Sequence, residues 1–133
     1  MRVLLDTQIA LWAVQDDPSL GIRAAELIAD PRNEVWVSVT SIWEIAIKHP
    51  LQRGSPNDMP IPGREAWSLF EEAGYGVLPV TAAHAAAVDD LPAVPGHHDP
   101  FDRMLVAQAL TEPMRLLTRD ARLAGYGELV VQA

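Results

Sequence analysis

The sequence of 133 residues contains no cysteine, which excludes disulfides and thiolate metal sites. It also lacks any apolar run near the ~18 residues that a membrane span requires, so we expect no membrane association. The chain begins directly with the segment Arg2-Val3-Leu4-Leu5, without the apolar region and cleavage site of a signal peptide. We therefore expect a cytoplasmic protein.

Positive charge is also scarce. Ten lysines and arginines stand against 18 aspartates and glutamates, which gives a net charge of −8 and a pI of about 4.8. Phosphate binding depends mainly on basic side chains, so this balance argues against a nucleic-acid partner. The charge is compatible with a divalent cation, which needs clustered carboxylates, and with a basic protein partner.

Several catalytic signatures are absent. The chain has no G-x-x-x-x-G-K-[ST] phosphate loop, no G-x-G-x-x-G after its first strand, and no G-x-S-x-G elbow. The common nucleotide-binding and serine-hydrolase motifs are therefore excluded. The composition, with 49% hydrophobic and 21% charged residues, is typical of a globular protein, and we expect one domain over residues 1–133.

Short apolar strands alternate with helices along the chain. Candidate strands lie at 2–6, 34–38, 76–80, 114–118 and 128–131. Candidate helices lie at 7–14, 19–29, 39–49, 64–73, 81–91 and 100–111, with a short helix after 120. The proline-rich segment from Pro50 to Gly63 is interpreted as an irregular loop. The alternation predicts an α/β fold with a central, mainly parallel five-stranded sheet flanked by helices.

Four carboxylates stand at one end of this predicted sheet. Asp6 closes the first strand, and Asp120 follows the fourth. Glu44 lies on the helix after the second strand, and Asp102 lies near the start of the helix before the fourth. Ligands of parallel sheets bind beyond the carboxyl ends of the strands, so these acids should converge there. Clustered carboxylates repel one another, and a hard cation such as Mg²⁺ would neutralise them.

Each acid also has a structural explanation. Asp6 and Asp120 can be the N-caps of the helices that follow them. Glu44 can close a capping box with Ser41, or it can pair with Lys48 four residues later. These alternatives remain open at the level of sequence.

The helix that follows Asp99 carries the acid that a structural role explains least. Pro100 suits the first helical position, and Asp99 suits the N-cap before it. Asp102 then falls on the same side as Val106 and Ala109, the side that is expected to face the interior. A carboxylate directed inward from a first helical turn indicates binding or catalysis.

Four segments carry a joint pattern, at 4–7, 38–45, 99–109 and 117–120. Taken in this order, they resemble the PIN-domain family over the whole chain, and most of all the VapC-type toxins of bacterial toxin–antitoxin pairs. The resemblance implies a three-layer α/β fold and a Mg²⁺- or Mn²⁺-dependent ribonuclease that cleaves single-stranded or loop RNA, such as tRNA. It also implies a cognate antitoxin as partner and a homodimer.

The resemblance assigns roles residue by residue. The family's metal-binding and catalytic acids fall on Asp6, Glu44, Asp102 and Asp120. Glu44 is either a ligand or the group that orients the attacking water. Auxiliary roles fall on Asp99, Thr7 and Thr118, although the two threonines can equally be turn or strand-end residues. Three arginines beside the acids are candidates for RNA phosphate contact: Arg103, Arg119 and Arg122. The alternative for each arginine is a solvated side chain or an ion pair with a neighbouring acid.

Three tryptophans and a pair of adjacent histidines are further candidates for a role in binding. Trp12, Trp43 and Trp67 lie on apolar segments and are expected to pack in the core. As a group they could instead line a groove for an antitoxin helix or a dimer contact. His97 and His98 are adjacent, so their side chains should diverge, and we do not expect them to bind a metal.

Two other classes of protein match parts of the sequence. A catalytically silent PIN-like module that binds proteins would keep the fold, but it would have no need of four acids. A phosphoacceptor receiver domain requires an acid pair after its first strand and a lysine after its fifth, whereas Asp6 stands alone and the fifth strand has no lysine. The nuclease is the main hypothesis, and the silent module is its alternative.

Overall fold

The computed structural model describes residues 1–56 and 58–133. Its five strands are β1 (Arg2–Leu5), β2 (Glu34–Ser38), β3 (Gly76–Leu78), β4 (Arg115–Thr118) and β5 (Val130–Gln132). They form one sheet in the order β3-β2-β1-β4-β5, and every neighbouring pair is parallel. The expected parallel α/β sheet is therefore confirmed.

The described residues form six α-helices around this sheet. They are α1 (Thr7–Val14), α2 (Ile22–Ala29), α3 (Val39–Lys48), α4 (Gly63–Glu72), α5 (Ala82–Ala87) and α6 (Pro100–Thr111). Short 3₁₀ helices lie at His49–Leu51, Val88–Asp90 and Ala121–Tyr126. Among these described helices, none has the length and apolar character needed to cross a membrane.

Side chains of β1 alternate between the two faces of the sheet, and each face packs against its own layer of helices. Val3 and Leu5 lie in one buried cluster, whereas Leu4 lies in a second cluster on the opposite face. Successive strand residues point to opposite faces, so each face of the sheet needs its own cover. Apolar residues of α1 to α4 join the first cluster, and those of α6 and the 3₁₀ helix at 121–126 join the second.

Some observed boundaries differ from the predicted ones. The helix expected from Ser19 begins at Ile22, because Asp17 Oδ1 accepts the Ser19 N–H at 2.8 Å and holds that residue in a turn. The third strand ends at Leu78, before Pro79, which has no N–H to donate to a neighbouring strand. This strand lies at the sheet edge, as its proline had indicated.

Smaller differences concern the ends of other elements. The helix expected to reach 91 ends as an α-helix at Ala87 and continues as a 3₁₀ helix to Asp90. The short helix after Asp120 is a 3₁₀ helix, and the fifth strand begins two residues later than expected. The proline-rich loop opens with the 3₁₀ helix at 49–51, and Gly63 already belongs to α4.

Side-chain caps join the two central strands β1 and β2 to the helices that follow them. Asp6 Oδ1 accepts the Ile9 N–H at 2.8 Å at the start of α1. Ser38 Oγ accepts the Thr40 N–H at 2.9 Å at the start of α3. These bonds satisfy amides that a helix leaves open in its first turn. They also set helix N-termini at the carboxyl end of the sheet.

Candidate active site

A cavity of about 440 Å³ lies at the carboxyl ends of the central strands. Its walls include all four acids singled out in the sequence: Asp6, Glu44, Asp102 and Asp120. β1 and β4 are neighbours in the sheet, so the acids that follow these strands meet there. Helices α3 and α6 supply the other two acids. The topology thus brings distant parts of the chain to one cavity.

Asp6 is buried at the end of β1, with 8% of its surface exposed. Its Oδ1 caps α1, and its Oδ2 accepts the hydroxyl hydrogen of Thr118. Burial raises the pKa of Asp6 from 3.8 to about 6, although the bonds from Thr118 and Ile9 act in the opposite direction. Asp6 is therefore both a helix cap and a cavity residue, so its capping role does not exclude a role in the cavity.

Glu44 is fixed between a hydroxyl and an ammonium group. Thr7 Oγ1 donates to Oε1 at 2.6 Å, and Lys48 Nζ donates to Oε2 at 2.6 Å. The Thr7 hydroxyl also lies 2.9 Å from Ser41 Oγ, which ties α1 to α3. The pair with Lys48 is thus present, whereas the capping box with Ser41 is not, because Ser38 caps the helix.

Asp102 lies half-buried in the first turn of α6. Asp99 caps this turn, since its Oδ1 accepts the N–H groups of Phe101 and Asp102 at 2.9 and 3.1 Å. Oδ2 of Asp102 lies 3.3 Å from His97 Nε2. Burial, followed by the negative charge of Asp99, raises the pKa of Asp102 from 3.8 to about 6. The turn has both expected features, a capping Asp99 and an inward carboxylate.

Asp120 differs because a basic side chain neutralises it. Arg122 Nη2 lies 2.8 Å from Oδ2, and Arg122 Nε lies 3.1 Å from Oδ1. The hydrogen bonds from this guanidinium lower the pKa of Asp120. Within residues 1–56 and 58–133, no lysine or arginine forms an ion pair with Asp6 or Asp102. Those two carboxyl groups therefore differ from Glu44 and Asp120, which pair with Lys48 and Arg122.

The donor chemistry of the cavity fits a hard divalent cation. Two carboxyl groups with raised pKa values adjoin two further carboxylates, and Mg²⁺ and Mn²⁺ select such oxygen ligands. Among the described residues, His97, Asp102 and Asp120 form a group of possible metal ligands, with one atom of each within 4.8 Å of the others. Asp6 and Glu44 line the same cavity outside that group.

Two of the three arginines expected to contact RNA lie outside the cavity lining and bond to other parts of the protein. Arg122 holds Asp120, as described above. Arg103 Nη1 donates to the Tyr126 hydroxyl at 2.9 Å and to the Pro92 carbonyl at 3.3 Å. For these two arginines the contacts favour the structural explanation.

Arg119 has a different position. It lines the acidic cavity, donates to the Ser19 carbonyl, and places its guanidinium carbon 5.6 Å from the ring centroid of Trp12. Trp12 is half-buried and lines the cavity together with Met59. This wall combines a cation with apolar surface next to the acids.

Two of the three tryptophans expected in the core are exposed. Trp43 is 59% exposed and Trp67 is 48% exposed. On α3 the inward positions belong to residues such as Glu44 and Ile45, so Trp43 projects outward. Its ring contacts the edge of Phe101 at a centroid distance of 5.2 Å, beside an apolar groove of about 410 Å³ between α3 and α6.

His97 is a residue to which the sequence analysis gave no role, and it is in contact with one of the four acids. It is 1% exposed, and its Nδ1 lies 3.0 Å from the Tyr126 hydroxyl. His98 is exposed, so the two side chains do diverge, but one of them turns towards Asp102. The signal that could have found it is Gly96, because a glycine before the pair allows a tight turn.

Fold and site together define the class of protein. The profile of the PIN domain family matches residues 3–129, and the chain belongs to that family. A curated relative is Ribonuclease VapC22 of Mycobacterium tuberculosis. It is 30% identical over 126 residues, which cover 93% of this chain and 91% of the relative. The resemblance inferred from the four segments is thereby confirmed.

Solved structures show the same fold. One is the crystal structure of VapBC2 from Rickettsia felis bound to a DNA fragment from its promoter. It matches with a TM-score of 0.69 and 14% identity, and the match covers 100% of this chain and 98% of that chain. FitAcB from Neisseria gonorrhoeae matches with a TM-score of 0.59 and 18% identity, covering 98% and 96%. These similarities establish the three-layer architecture.

Proposed function

We propose that this chain is a metal-dependent endoribonuclease and the toxin of a toxin–antitoxin pair. Membership of the PIN domain family and the 30% identity to Ribonuclease VapC22 support this proposal. The observation that carries it is the position of Asp6 and Asp102, two buried or half-buried cavity acids that have no lysine or arginine partner among the described residues. They share one cavity with two further carboxylates, an arrangement that a bound cation would stabilise.

The cation would be Mg²⁺ or Mn²⁺, held by Asp6, Asp102 and Asp120. Such an ion, when bound, supplies Lewis acidity that makes water more acidic and stabilises charge on a phosphate. Glu44 either completes the ligand set or orients the attacking water. Either role requires a carboxylate of fixed orientation, and the hydrogen bond from the Thr7 hydroxyl to Glu44 Oε1 supplies this.

The auxiliary residues act on the acids. The Thr118 hydroxyl donates to Asp6 and so fixes the rotation of its carboxylate. Thr118 Oγ1 also accepts the Asp120 N–H at 3.0 Å, which couples the ends of β1 and β4. Asp99 caps the turn that carries Asp102. These contacts hold the carboxylates in place before substrate arrives.

RNA would enter along the wall formed by Arg119, Trp12 and Met59. Arg119 offers a guanidinium for a phosphate, and the indole of Trp12 offers a surface for an unpaired base. Single-stranded or loop RNA, such as tRNA loops, exposes bases that can stack in this way. With a net charge of −8, the chain must bind RNA through such local contacts.

The partner would be a cognate antitoxin, as the structural neighbours VapBC2 and FitAcB suggest. Net negative charge suits a basic antitoxin segment near the acidic cavity. The groove beside Trp43 and Phe101 is an apolar surface available for a homodimer contact. We place the action of the toxin in the cytoplasm.

Cleavage and metal binding test the proposal together. Wild type, Asp6→Asn and Asp102→Asn are compared by calorimetry with Mn²⁺ or Mg²⁺ and by cleavage of total tRNA, with the exposed Asp90→Asn as the matched control. We expect both asparagine variants at the site to lose binding and cleavage, while the control retains them. A wild-type protein that neither binds the ion nor cleaves RNA would support the catalytically silent binding module instead.

A further inference from the structure

A chain of hydrogen bonds runs from the protein interior to Asp102. His97 Nε2 lies 3.3 Å from Asp102 Oδ2, and His97 Nδ1 lies 3.0 Å from the Tyr126 hydroxyl. Arg103 Nη1 donates to the same hydroxyl at 2.9 Å. His97 and Tyr126 are 1% and 8% exposed, so water does not compete freely for these groups.

The backbone before α6 fixes the position of the imidazole. The His97 N–H donates to the Val94 carbonyl at 3.0 Å, and these two residues form an antiparallel bridge. Gly96 closes the turn between them with a φ of +75°, a conformation that side chains rarely adopt. Val94 in turn packs closely over Gly125, where an added Cβ would lie 3.0 Å from Val94 Cγ1. The turn therefore holds His97 against the 3₁₀ helix that carries Tyr126.

The partners at both ends determine the direction of the hydrogen bonds. The Tyr126 oxygen already accepts from Arg103, which is only a donor, so the hydroxyl hydrogen is free to point to His97 Nδ1. At the other end, an ionised Asp102 can only accept, so His97 Nε2 must carry the hydrogen.

We infer that His97 is a positioning residue for Asp102. Its Nε2–H donates to Oδ2 of Asp102, and the Tyr126 hydroxyl, itself held by Arg103, lies against Nδ1 on the other side of the ring. A nitrogen that carries a hydrogen has no lone pair for a metal, so His97 orients a ligand without being one, despite its closeness to Asp102 and Asp120. The role in metal binding rests on the proposed function, whereas the hydrogen on Nε2 does not.

The hydrogen on Nε2 is tested by NMR on the metal-free protein. Histidine is labelled with ¹⁵N, long-range ¹H–¹⁵N spectra are recorded, and the His97 signals are assigned by their loss in His97→Gln. We expect the Nε2 of His97 to carry a hydrogen. An Nε2 without a hydrogen in the wild type would overturn the inference.

The effect on Asp102 is tested by Mn²⁺ affinity. His97→Leu keeps the volume but loses the donor, and we expect it to weaken Mn²⁺ binding by about 10–100-fold. His97→Gln offers an amide donor and should restore most of the affinity, and the exposed His98→Gln is the matched control. If the leucine variant does not fold, Tyr126→Phe replaces it, with weaker Mn²⁺ binding expected.

Two results would overturn the positioning role. One is an unchanged Mn²⁺ affinity in folded His97→Leu protein, or in Tyr126→Phe protein where the leucine variant does not fold. The other is a direct ¹⁵N coupling between His97 and Mn²⁺ in electron paramagnetic resonance spectra, which would make His97 a ligand. A wild-type protein that binds no Mn²⁺ would refute the proposed nuclease, whereas the NMR experiment would still decide whether Nε2 of His97 carries the hydrogen that faces Asp102.

Discussion

The substitution Asp6→Asn should stabilise the metal-free protein at neutral pH and destabilise it in acid. Burial raises the pKa of Asp6 from 3.8 to about 6, so folding favours the protonated carboxyl. The stability that Asp6 contributes is fully present below pH 3.8 and is lost as the pH rises through 6. At 1.36 kcal/mol per pKa unit, the ionised group then costs about 3 kcal/mol.

Asparagine removes this charge but disturbs one hydrogen bond. Its Oδ1 can still accept the Ile9 N–H. Its amide NH₂ group would face Thr118 Oγ1, which already accepts the Asp120 N–H at 3.0 Å. The Thr118 hydroxyl would also lose the carboxylate oxygen to which it donates in the wild type. An imperfectly matched buried polar group costs about 1–3 kcal/mol. We therefore expect a net gain of about 1 kcal/mol at pH 7.5 and a net loss of about 1–2 kcal/mol at pH 4.

Urea unfolding in metal-free buffer at these two pH values measures the effect. The four tryptophans supply a fluorescence signal, and Asp90→Asn, at an exposed carboxylate, is the matched control. The change in the free energy of unfolding should reverse its sign between pH 4 and pH 7.5 for position 6 alone. An equal loss at both pH values would refute the reasoning, because it would show that the buried carboxylate has no desolvation cost.

Three further substitutions test other parts of the structure. Arg119→Ala should weaken RNA binding and reduce the slope of log K against log salt concentration by about 1. Filter binding at several salt concentrations measures this slope, and an unchanged slope would show that Arg119 does not contact RNA. Asp99→Ala should lower the free energy of unfolding in urea by about 0.5–2 kcal/mol through loss of the α6 cap, while Asp99→Asn keeps most of it. Gly76→Ala would place a Cβ 2.5 Å from the Trp36 ring. It should cost about 1–3 kcal/mol, and a wild-type melting temperature would contradict this.

The order of elements was predictable because local patterns encode it. The apolar segment before Asp6 and the N-cap followed by proline at 99–100 are recognised from neighbouring residues alone. The parallel-sheet rule then placed four acids at one edge, and all four line one cavity. Boundaries were less predictable where a turn competed with a helix, as at Asp17 and Ser19.

The balance of charge in the site depended on contacts that the sequence leaves open. Each arginine near the acids had two equivalent explanations, and only the folded geometry shows Arg122 on Asp120 and Arg103 on Tyr126. The exposure of Trp43 likewise depends on which face of α3 meets the sheet. A hydrophobic side chain does not by itself specify burial, since much of any protein surface is apolar.

The sequence by itself therefore determined the parallel α/β order and the convergence of the four acids, because these follow from local periodicity, caps and strand ends, while the resemblance of four segments indicated the family. The tertiary structure alone decided which acids pair with a lysine or an arginine and which side chains support the others. His97 shows the reason. Its contacts come from Asp102 and Tyr126, on elements that meet only when α6 and the 3₁₀ helix after β4 pack on the same face of the sheet.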